Sequence, residues 1–275
     1  MRSARVTAAA LAMCAAAMTF SLTVRAQHVA RADSVHPHSA HPHSAHPNVA
    51  QTHVAKTHVA QTHVAETQIA HADTIPAAAR ALLLDPGNPQ WTRPAPPLSR
   101  LRFETSRGAF VLELHREWGP IGVDRLYNLA RIGYYTDTRF HRVRSGYIAQ
   151  WGLHGDSTVN AAWKGRYLRD DPPRSHNTRG TFAFSYEGPG KENTRNTQIY
   201  VNLADNPRND AEPFTVLGTV VEGMAVLDSL YGGYGEESGS GVRQGKQGPL
   251  ERGGNAFMDR EYPKLDRIYR VTVTP

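Results

Sequence analysis

Short runs of alternating apolar and polar residues begin at about residue 99, and they constrain the fold more than any other feature of this chain. Leu101 and Phe103 alternate with polar neighbours, and Ser106-Arg107-Gly108 is a turn signal. The apolar positions resume with the same spacing at Phe110, Leu112 and Leu114. A period of two places every second side chain on the same side of a strand. The pattern therefore predicts a β-hairpin with one buried face.

The rest of this region adds more strands and two helices. Pro120 opens a predicted helix, because proline is favoured at the first helical position, and Gly133 is a suitable stop. A second helix is predicted over residues 223–230, and the Gly-rich residues 231–254 carry no prediction. Further strand-like runs lie at 138–143, 147–151, 180–186, 197–203, 214–221 and 267–273. This pattern indicates a mainly β fold, either a closed antiparallel β-barrel capped by two helices or a sandwich.

The first 26 residues have the organisation of a secretory signal peptide. Arg2 and Arg5 give a positive start, residues 6–24 are apolar and Ala-rich, and residues 24–26 form a small-x-small cleavage signal. The sequence therefore predicts a periplasmic or secreted protein. A membrane anchor is an alternative, although the apolar stretch is no longer than the ~20 residues that a span needs. Lipid attachment at Cys14 is another alternative.

Cysteine usage and charge exclude some classes of function. Cys14 is the only cysteine, and cleavage after Ala26 would leave the mature chain without a thiol. A cysteine nucleophile and a cysteine-ligated metal are therefore excluded. The formal net charge of +6 includes the three arginines of the signal, and without them it is +3. A charge of this size does not indicate a nucleic-acid partner.

Residues 36–71 are a low-complexity array with a period of five, in units such as HPHSA and QTHVA. Five matches neither the helical nor the strand period, and no side chain is large enough to build a core. We predict a disordered His-rich linker over residues 27–75. Ten of the 14 histidines lie between His28 and His71. Two interpretations stay open, which are weak metal binding by neutral imidazoles and a solvated spacer.

The segment between this array and the alternating region has its own composition. Residues 77–84 are compatible with a short helix that Asp85-Pro86-Gly87 would end. Several prolines follow, and we predict a Pro-rich linker over residues 76–98. The chain is thus expected to consist of a signal peptide, two linkers and one domain over residues 99–275.

Four ordered blocks of the domain resemble a known family. They read FHRVRSGYIAQWGLHGD at 140–156, GTFAFS at 180–185, TQIYV at 197–201 and LGTVVEGM at 217–224. Together they resemble the signature and the later strands of the cyclophilin-type peptidyl-prolyl cis-trans isomerases. The resemblance covers about residues 99–275, and the tail from Tyr231 to Phe257 resembles extended bacterial members. It implies a closed β-barrel of the cyclophilin type.

The resemblance also implies an isomerase that accelerates rotation about X-Pro bonds in exported proteins. By matching positions, Arg142 would donate a hydrogen bond to the prolyl nitrogen, and Gln150 would orient Arg142. The positions that match substrate contacts are Tyr147, Ile148, Ser185, Tyr186, Gln198, Tyr200 and Phe214. Rotation makes and breaks no covalent bond, so no cofactor or metal is expected. The expected partners are proline-containing polypeptides, and the expected state is a monomer.

Each of these assignments has a plainer alternative. Arg142 on its own would be interpreted as a surface arginine beside a strand, and Phe214 as part of the barrel core. His141 could be a general base, but rotation transfers no proton, so a structural role is predicted. The same groove could bind proline segments without turnover. Ser145 and Ser185-Tyr186 depart from the family pattern, which leaves the substrate preference open.

Overall fold

The computed structural model describes residues 75–235 and 247–274, which lie in the compact unit Ala55–Pro275. Nine strands form one sheet in which every pairing is antiparallel. They are β1 (Leu98–Thr105), β2 (Gly108–His115), β3 (Thr138–Arg139), β4 (Arg142–Arg144), β5 (Ile148–Trp151), β6 (Thr181–Phe184), β7 (Ile199–Asn202), β8 (Val216–Glu222) and β9 (Arg267–Thr274). The predicted mainly β class is confirmed.

The two edge strands of the sheet are neighbours in the chain. The strand order is β3-β9-β1-β2-β8-β6-β7-β5-β4, so β3 and β4 lie at opposite edges. Only Phe140 and His141 separate them. The chain itself therefore joins the two edges of the curled sheet, where a hydrogen-bonded ladder would otherwise close it. The antiparallel, barrel-like architecture expected from the sequence is confirmed, with this seam at the signature block.

The hairpin at the start of the sheet follows the alternation of the sequence. β1 and β2 pair from Leu98 with His115 down to Thr105 with Gly108, which leaves Ser106-Arg107 as a two-residue turn. Gly108 has φ 121°, which an L side chain rarely adopts. Alternate residues of β1 are buried. The predicted hairpin is confirmed.

The described residues contain five α-helices, where two were expected to cap the domain. They are α1 (Ala77–Leu83), α2 (Pro120–Ile132), α3 (Ser157–Trp163), α4 (Met224–Asp228) and α5 (Gln247–Glu261). The predicted helix from Pro120 is confirmed as α2, and Gly133 ends it in the left-handed conformation, with φ 91°. Helices α3 and α5 were not predicted from the sequence. The glycines of α5 concealed it, and Gly254 kinks it with φ 54°.

The main core fills the inside of the curled sheet. Phe103 and Phe110 stack with their ring centroids 4.7 Å apart, and Trp151 packs edge-on against both rings. Helix α2 covers one end of this core with Val123 and Leu126, which are fully buried. Burial of several large aromatic side chains supplies the apolar area that a chain of this size needs in place of disulfides.

Residues 76–98 pack onto the domain, although their proline content predicts a linker. Leu83 at the end of α1 is fully buried, and Trp91 is 3% exposed. The Trp91 ring meets that of Trp163 edge-on at 4.8 Å. Trp163 Nε1 also donates a hydrogen bond to the Leu83 carbonyl, at 2.9 Å. Proline content concealed this packing, because only two or three apolar residues in the segment anchor it.

Two predicted parts lie outside the described residues. These are the signal peptide at 1–26 and the His-rich linker at 27–75, of which only Ile75 is described. Within 75–235 and 247–274, none of the helices combines the length and the apolar character needed to cross a bilayer.

Candidate active site

Strands β4 and β5 bring the two predicted catalytic residues together. Arg142 and Gln150 are directly opposite each other in the antiparallel pair, and opposite residues point to the same side of a sheet. Arg142 Nη1 donates a hydrogen bond to Gln150 Oε1 at 3.0 Å. Gln150 is buried, whereas Arg142 is only half-buried. One end of the pair is thus fixed in the protein while the guanidinium reaches the surface.

Gln198 extends this arrangement to the next strand. Gln150 Nε2 donates to Gln198 Oε1 at 2.9 Å. A guanidinium has only donors, so the Gln150 carbonyl must face Arg142 and its amide nitrogen must face Gln198. The hydrogen bonds therefore give Gln150 a single orientation between Arg142 and Gln198.

A small apolar cluster, separate from the main core, lies beside this polar chain. Its buried members are Ile148, Ala183 and Tyr200, and Tyr147 and Phe214 pack against it partly buried. The rings of Tyr200 and Phe214 meet edge-on at 5.3 Å. Burial raises the pKa of Tyr200 well above its ordinary value, so its hydroxyl stays protonated and donates to Asn177 Oδ1 at 2.9 Å. Phe214 packs against this small cluster and is absent from the main core, so it is not part of the barrel core.

Most of the predicted site residues line one cleft with a volume of about 990 Å³. Seven of the nine are on its surface, namely Arg142, Tyr147, Gln150, Ser185, Tyr186, Gln198 and Phe214. Ile148 and Tyr200 do not reach the cleft surface and belong to the apolar cluster. The structure therefore brings the nine residues into one region, while the role of each one stays a prediction.

Ser185 and Tyr186 form part of the cleft wall. The Ser185 amide donates to the Gln198 carbonyl at 2.8 Å, so it is already engaged within the protein. The Tyr186 ring packs edge-on against Phe214 at 4.9 Å, and its hydroxyl hydrogen-bonds to Glu212. The Tyr186–Glu212 pair thus holds one aromatic wall of the cleft in place.

His141 is adjacent to Arg142 in sequence but lies inside the protein. It is fully buried. Burial, followed by the nearby charge of Arg142, lowers its pKa to about 3. The imidazole is therefore neutral at ordinary pH, and its affinity for a proton is too low for an effective base. This environment is consistent with the structural role predicted from the sequence.

The far end of the cleft was not predicted from the sequence. Helix α3 and the chain after it contribute Asn160, Trp163, Lys164 and Tyr167. Helix α5 contributes Gln247 and Glu251, and burial raises the pKa of the Glu251 carboxyl. These residues lie outside the four sequence blocks, and the helices that carry most of them were not predicted. Among residues 75–235 and 247–274, no group of three or more His, Cys, Asp or Glu side chains could hold a metal ion.

Comparison with known proteins identifies the family. The family model described as cyclophilin type peptidyl-prolyl cis-trans isomerase/CLD matches residues 100–246. A Helicobacter pylori peptidyl-prolyl cis-trans isomerase is 32% identical over 131 residues, which are 46% of this chain and 77% of that protein. An Aspergillus fumigatus peptidyl-prolyl cis-trans isomerase-like 1 is 30% identical over 131 residues, 46% of this chain and 79% of that protein.

Two further matches have different coverage. A Gibberella zeae peptidyl-prolyl cis-trans isomerase-like 2 is 33% identical over 132 residues, which are 47% of this chain but only 22% of that protein. A solved Cryptosporidium parvum cyclophilin type peptidyl-prolyl cis-trans isomerase has 21% identity and a TM-score of 0.48, and the match covers 65% of this chain and 98% of the other.

The match to the family model and the names of the curated relatives show an enzyme of the isomerase class. The family model covers more than half of the chain, so the chain belongs to the cyclophilin-type peptidyl-prolyl cis-trans isomerases. The family suggested by the four sequence blocks is confirmed, and its assignment to an extended bacterial subgroup stays a prediction.

Proposed function

We propose that this protein accelerates rotation about X-Pro bonds in exported proteins, with Arg142 as the catalytic hydrogen-bond donor. The observation that carries the proposal is the position of the Arg142–Gln150 pair. Their 3.0 Å hydrogen bond lies in the same cleft as the partly buried rings of Tyr147 and Phe214. An apolar recess suits a proline ring, and a charged donor beside it suits the prolyl nitrogen.

The chemistry needs only a donor that acts in the twisted state. Rotation about an X-Pro bond has a barrier of about 18–20 kcal/mol, which is the cost of losing amide resonance. In the twisted transition state the prolyl nitrogen regains a lone pair and accepts a hydrogen bond. In the planar ground state that lone pair is delocalised. A donor such as Arg142 therefore stabilises the transition state selectively, which is the requirement for catalysis.

Arginine suits this role because its charge is permanent and its N–H groups form a rigid fork. Gln150 holds one arm of the fork through Nη1, which reduces the reorganisation needed when the nitrogen becomes an acceptor. The aromatic rings of Tyr147 and Phe214 would contact the proline ring, and Gln198 would bind the peptide strand. Bond rotation moves no proton, so the neutral, buried His141 takes no part in it.

A direct assay of cis-trans isomerisation in a short X-Pro peptide tests this proposal. We expect the full mature protein to accelerate isomerisation at nanomolar to micromolar enzyme concentration. Binding of the peptide without acceleration would instead identify a prolyl-peptide binding module and overturn the enzymatic proposal. Absence of both binding and turnover would reject the groove as the functional site.

The export context is the second part of the proposal and rests on the first 26 residues. Arg2 and Arg5, the apolar stretch and the small-x-small signal are all features of a secretory peptide. We expect protein recovered from its native host to begin at Gln27, as measured by N-terminal sequencing. Recovery of a chain that keeps residues 1–26 would contradict cleavage and would favour the membrane-anchor alternative.

The His-rich segment is expected to be dispensable for turnover and for stability, whereas the segment after it is expected to contribute to stability. Deletion of the mature chain up to residue 74 removes the predicted His-rich linker, which cannot build a core. We therefore expect kcat/KM to stay within about twofold and the unfolding temperature within about 2 °C.

A deletion up to residue 97 is the matched comparison. It removes Leu83 and Trp91, whose burial against Trp163 stabilises the domain. Burial of two such side chains contributes about 3–6 kcal/mol, so the shorter chain should unfold at a clearly lower urea concentration. Equal stability of the two truncated proteins would show that residues 75–97 do not contribute to the core. Metal titration of both proteins beside the full chain would test the metal-binding interpretation.

A further inference from the structure

Helix α5 inserts a glutamine into the candidate active site from outside the signature blocks. Gln247 is the first residue of α5 and lines the cleft. Its side-chain amide pairs with that of Gln198 through two reciprocal hydrogen bonds. Gln198 Nε2 donates to Gln247 Oε1 at 3.0 Å, and Gln247 Nε2 donates to Gln198 Oε1 at 3.1 Å.

These two hydrogen bonds extend the series of side-chain hydrogen bonds that ends at Arg142. Gln198 Oε1 also accepts from Gln150 Nε2 at 2.9 Å, and Gln150 Oε1 accepts from Arg142 Nη1 at 3.0 Å. The four side chains Arg142, Gln150, Gln198 and Gln247 thus form one continuous series of hydrogen bonds. It runs across strands β4 and β5, through the residue that precedes β7, to the start of α5.

In this series, the atom that each side chain presents determines which atom the next side chain must present. The guanidinium accepts nothing, so Gln150 must present its carbonyl oxygen to Arg142 and its amide nitrogen to Gln198. Gln198 must in turn present its carbonyl oxygen to Gln150. Its amide nitrogen then points away from the catalytic pair and donates to Gln247. An acceptor at position 247 therefore favours the orientation of Gln198 that Gln150 needs.

We propose that Gln247 is a positioning residue for catalysis, which acts on Arg142 through Gln198 and Gln150. The inference rests on the proposed function of Arg142. Gln247 holds the Gln198 amide through both of its polar atoms, so Gln198 cannot rotate away from Gln150 without breaking three hydrogen bonds. A side chain fixed in this way keeps the catalytic donor preorganised, and preorganisation is what makes such a donor effective.

Replacement of Gln247 tests the inference through a split between kcat and KM. In Gln247→Ala we expect kcat for an X-Pro peptide to fall about three- to tenfold, because the loss of one or two hydrogen bonds loosens the donor. KM should change less than twofold, since an interaction that matters mainly in the transition state affects kcat. Gln247→Glu keeps an acceptor for Gln198 Nε2 and should recover part of the lost kcat. Loss without any recovery in Gln247→Glu would contradict the polarity argument.

A double-mutant cycle separates this effect from a loss of structure. In a Gln198→Ala background, Gln247→Ala should lower kcat by less than twofold further, because the connection to Gln150 is already broken. Arg252→Ala, an exposed position on the same helix, is the matched control and should leave kcat unchanged. Near-UV circular dichroism and the unfolding midpoint verify that each variant is folded. Equal losses from Gln247→Ala in both backgrounds would overturn the inference.

The same set of variants distinguishes failure of this inference from failure of the proposed function. Wild-type protein and Arg142→Ala are measured beside the Gln247 variants. An active wild type, an impaired Arg142→Ala and an unchanged Gln247→Ala would overturn only the role of Gln247. A wild type without turnover, or an Arg142→Ala variant with full turnover, would remove the proposed role of Arg142 and this inference with it.

Discussion

Arg142→Ala is expected to lower kcat/KM for an X-Pro peptide by about a hundredfold or more while leaving the fold intact. Removal of a preorganised donor that acts on developing electron density costs about 3–4 kcal/mol in other active sites, which corresponds to a factor of several hundred. Arg142 is half-buried at a sheet edge and does not belong to the apolar clusters. Its loss should therefore affect the reaction far more than the free energy of unfolding.

Two comparisons make this result specific to the guanidinium. Arg142→Lys keeps the positive charge but not the fork that allows one N–H to bind Gln150 and another to reach the substrate, so most of the loss should remain. Arg102→Ala removes an exposed arginine of β1, outside the cleft, and should leave kcat/KM unchanged. Turnover by a folded Arg142→Ala protein within about threefold of wild type would reject the proposed mechanism.

The sequence was sufficient to predict the half of the cleft that resembles a known motif. The resemblance of residues 140–156 to the family's signature assigned Arg142 and Gln150 to one site, and the structure pairs them directly on adjacent antiparallel strands. Periodicity alone also predicted the hairpin and helix α2, because each has one apolar face and a recognisable end. Strand boundaries were predicted too generously at several places, such as residues 138–143, where the structure has β3 and β4 separated by the seam.

The other half of the cleft could not be predicted, because tertiary contacts decide its structure. In α5, Gly254 adopts φ 54°, and a Cβ there would lie 2.1 Å from the Gly155 carbonyl oxygen. Glycine is thus required at this position by a close approach between two distant segments, although in the sequence it indicates a loop. Helix α3 has only seven residues, and its signal is Asp156, whose side chain accepts from the Thr158 amide at 2.8 Å. Such caps are common outside helices as well.

Residues 76–98 show the same limitation in another form. Their prolines indicate an extended linker, yet Leu83 and Trp91 join the main core. The partner that they cover is Trp163, the last residue of the unpredicted helix α3. Because the packing of residues 76–98 depends on a helix that the sequence did not predict, this packing could not be predicted either. The position of Gln247 in the candidate site was missed for the same reason.

Acidification is expected to destabilise the protein well above the pH at which carboxylates protonate. Burial lowers the pKa of His141 to about 3 and that of His154 to about 4, against 6.5 as the reference value. Between these values the unfolded chain binds protons that the folded chain does not. The free energy of unfolding must therefore rise with pH through this window and fall as the pH drops below about 6.5.

The size of the effect follows from the two shifts. At pH 5 each histidine of the unfolded chain is almost fully protonated while its folded counterpart is not, which costs about 2 kcal/mol for each histidine and about 4 kcal/mol together. That is a large fraction of the 5–15 kcal/mol typical of a folded domain. Glu251 acts in the opposite direction, because burial raises its pKa. The carboxylates with lowered pKa values, such as Asp156, respond mainly below pH 5.

Urea unfolding at pH 7.5 and pH 5.0 measures this difference, with an unchanged m-value as the check that the transition stays two-state. His154→Asn should remove about half of the pH dependence. The asparagine oxygen can accept the hydrogen bond that the Asp156 amide donates to His154 Nδ1 at 2.9 Å, but it does not titrate. The variant will be less stable at pH 7.5, because it leaves a small cavity, so the informative quantity is the difference between the two pH values. A difference equal to that of wild type would show that His154 is not the titrating group. The absence of any difference in wild type would mean that neither buried imidazole resists protonation.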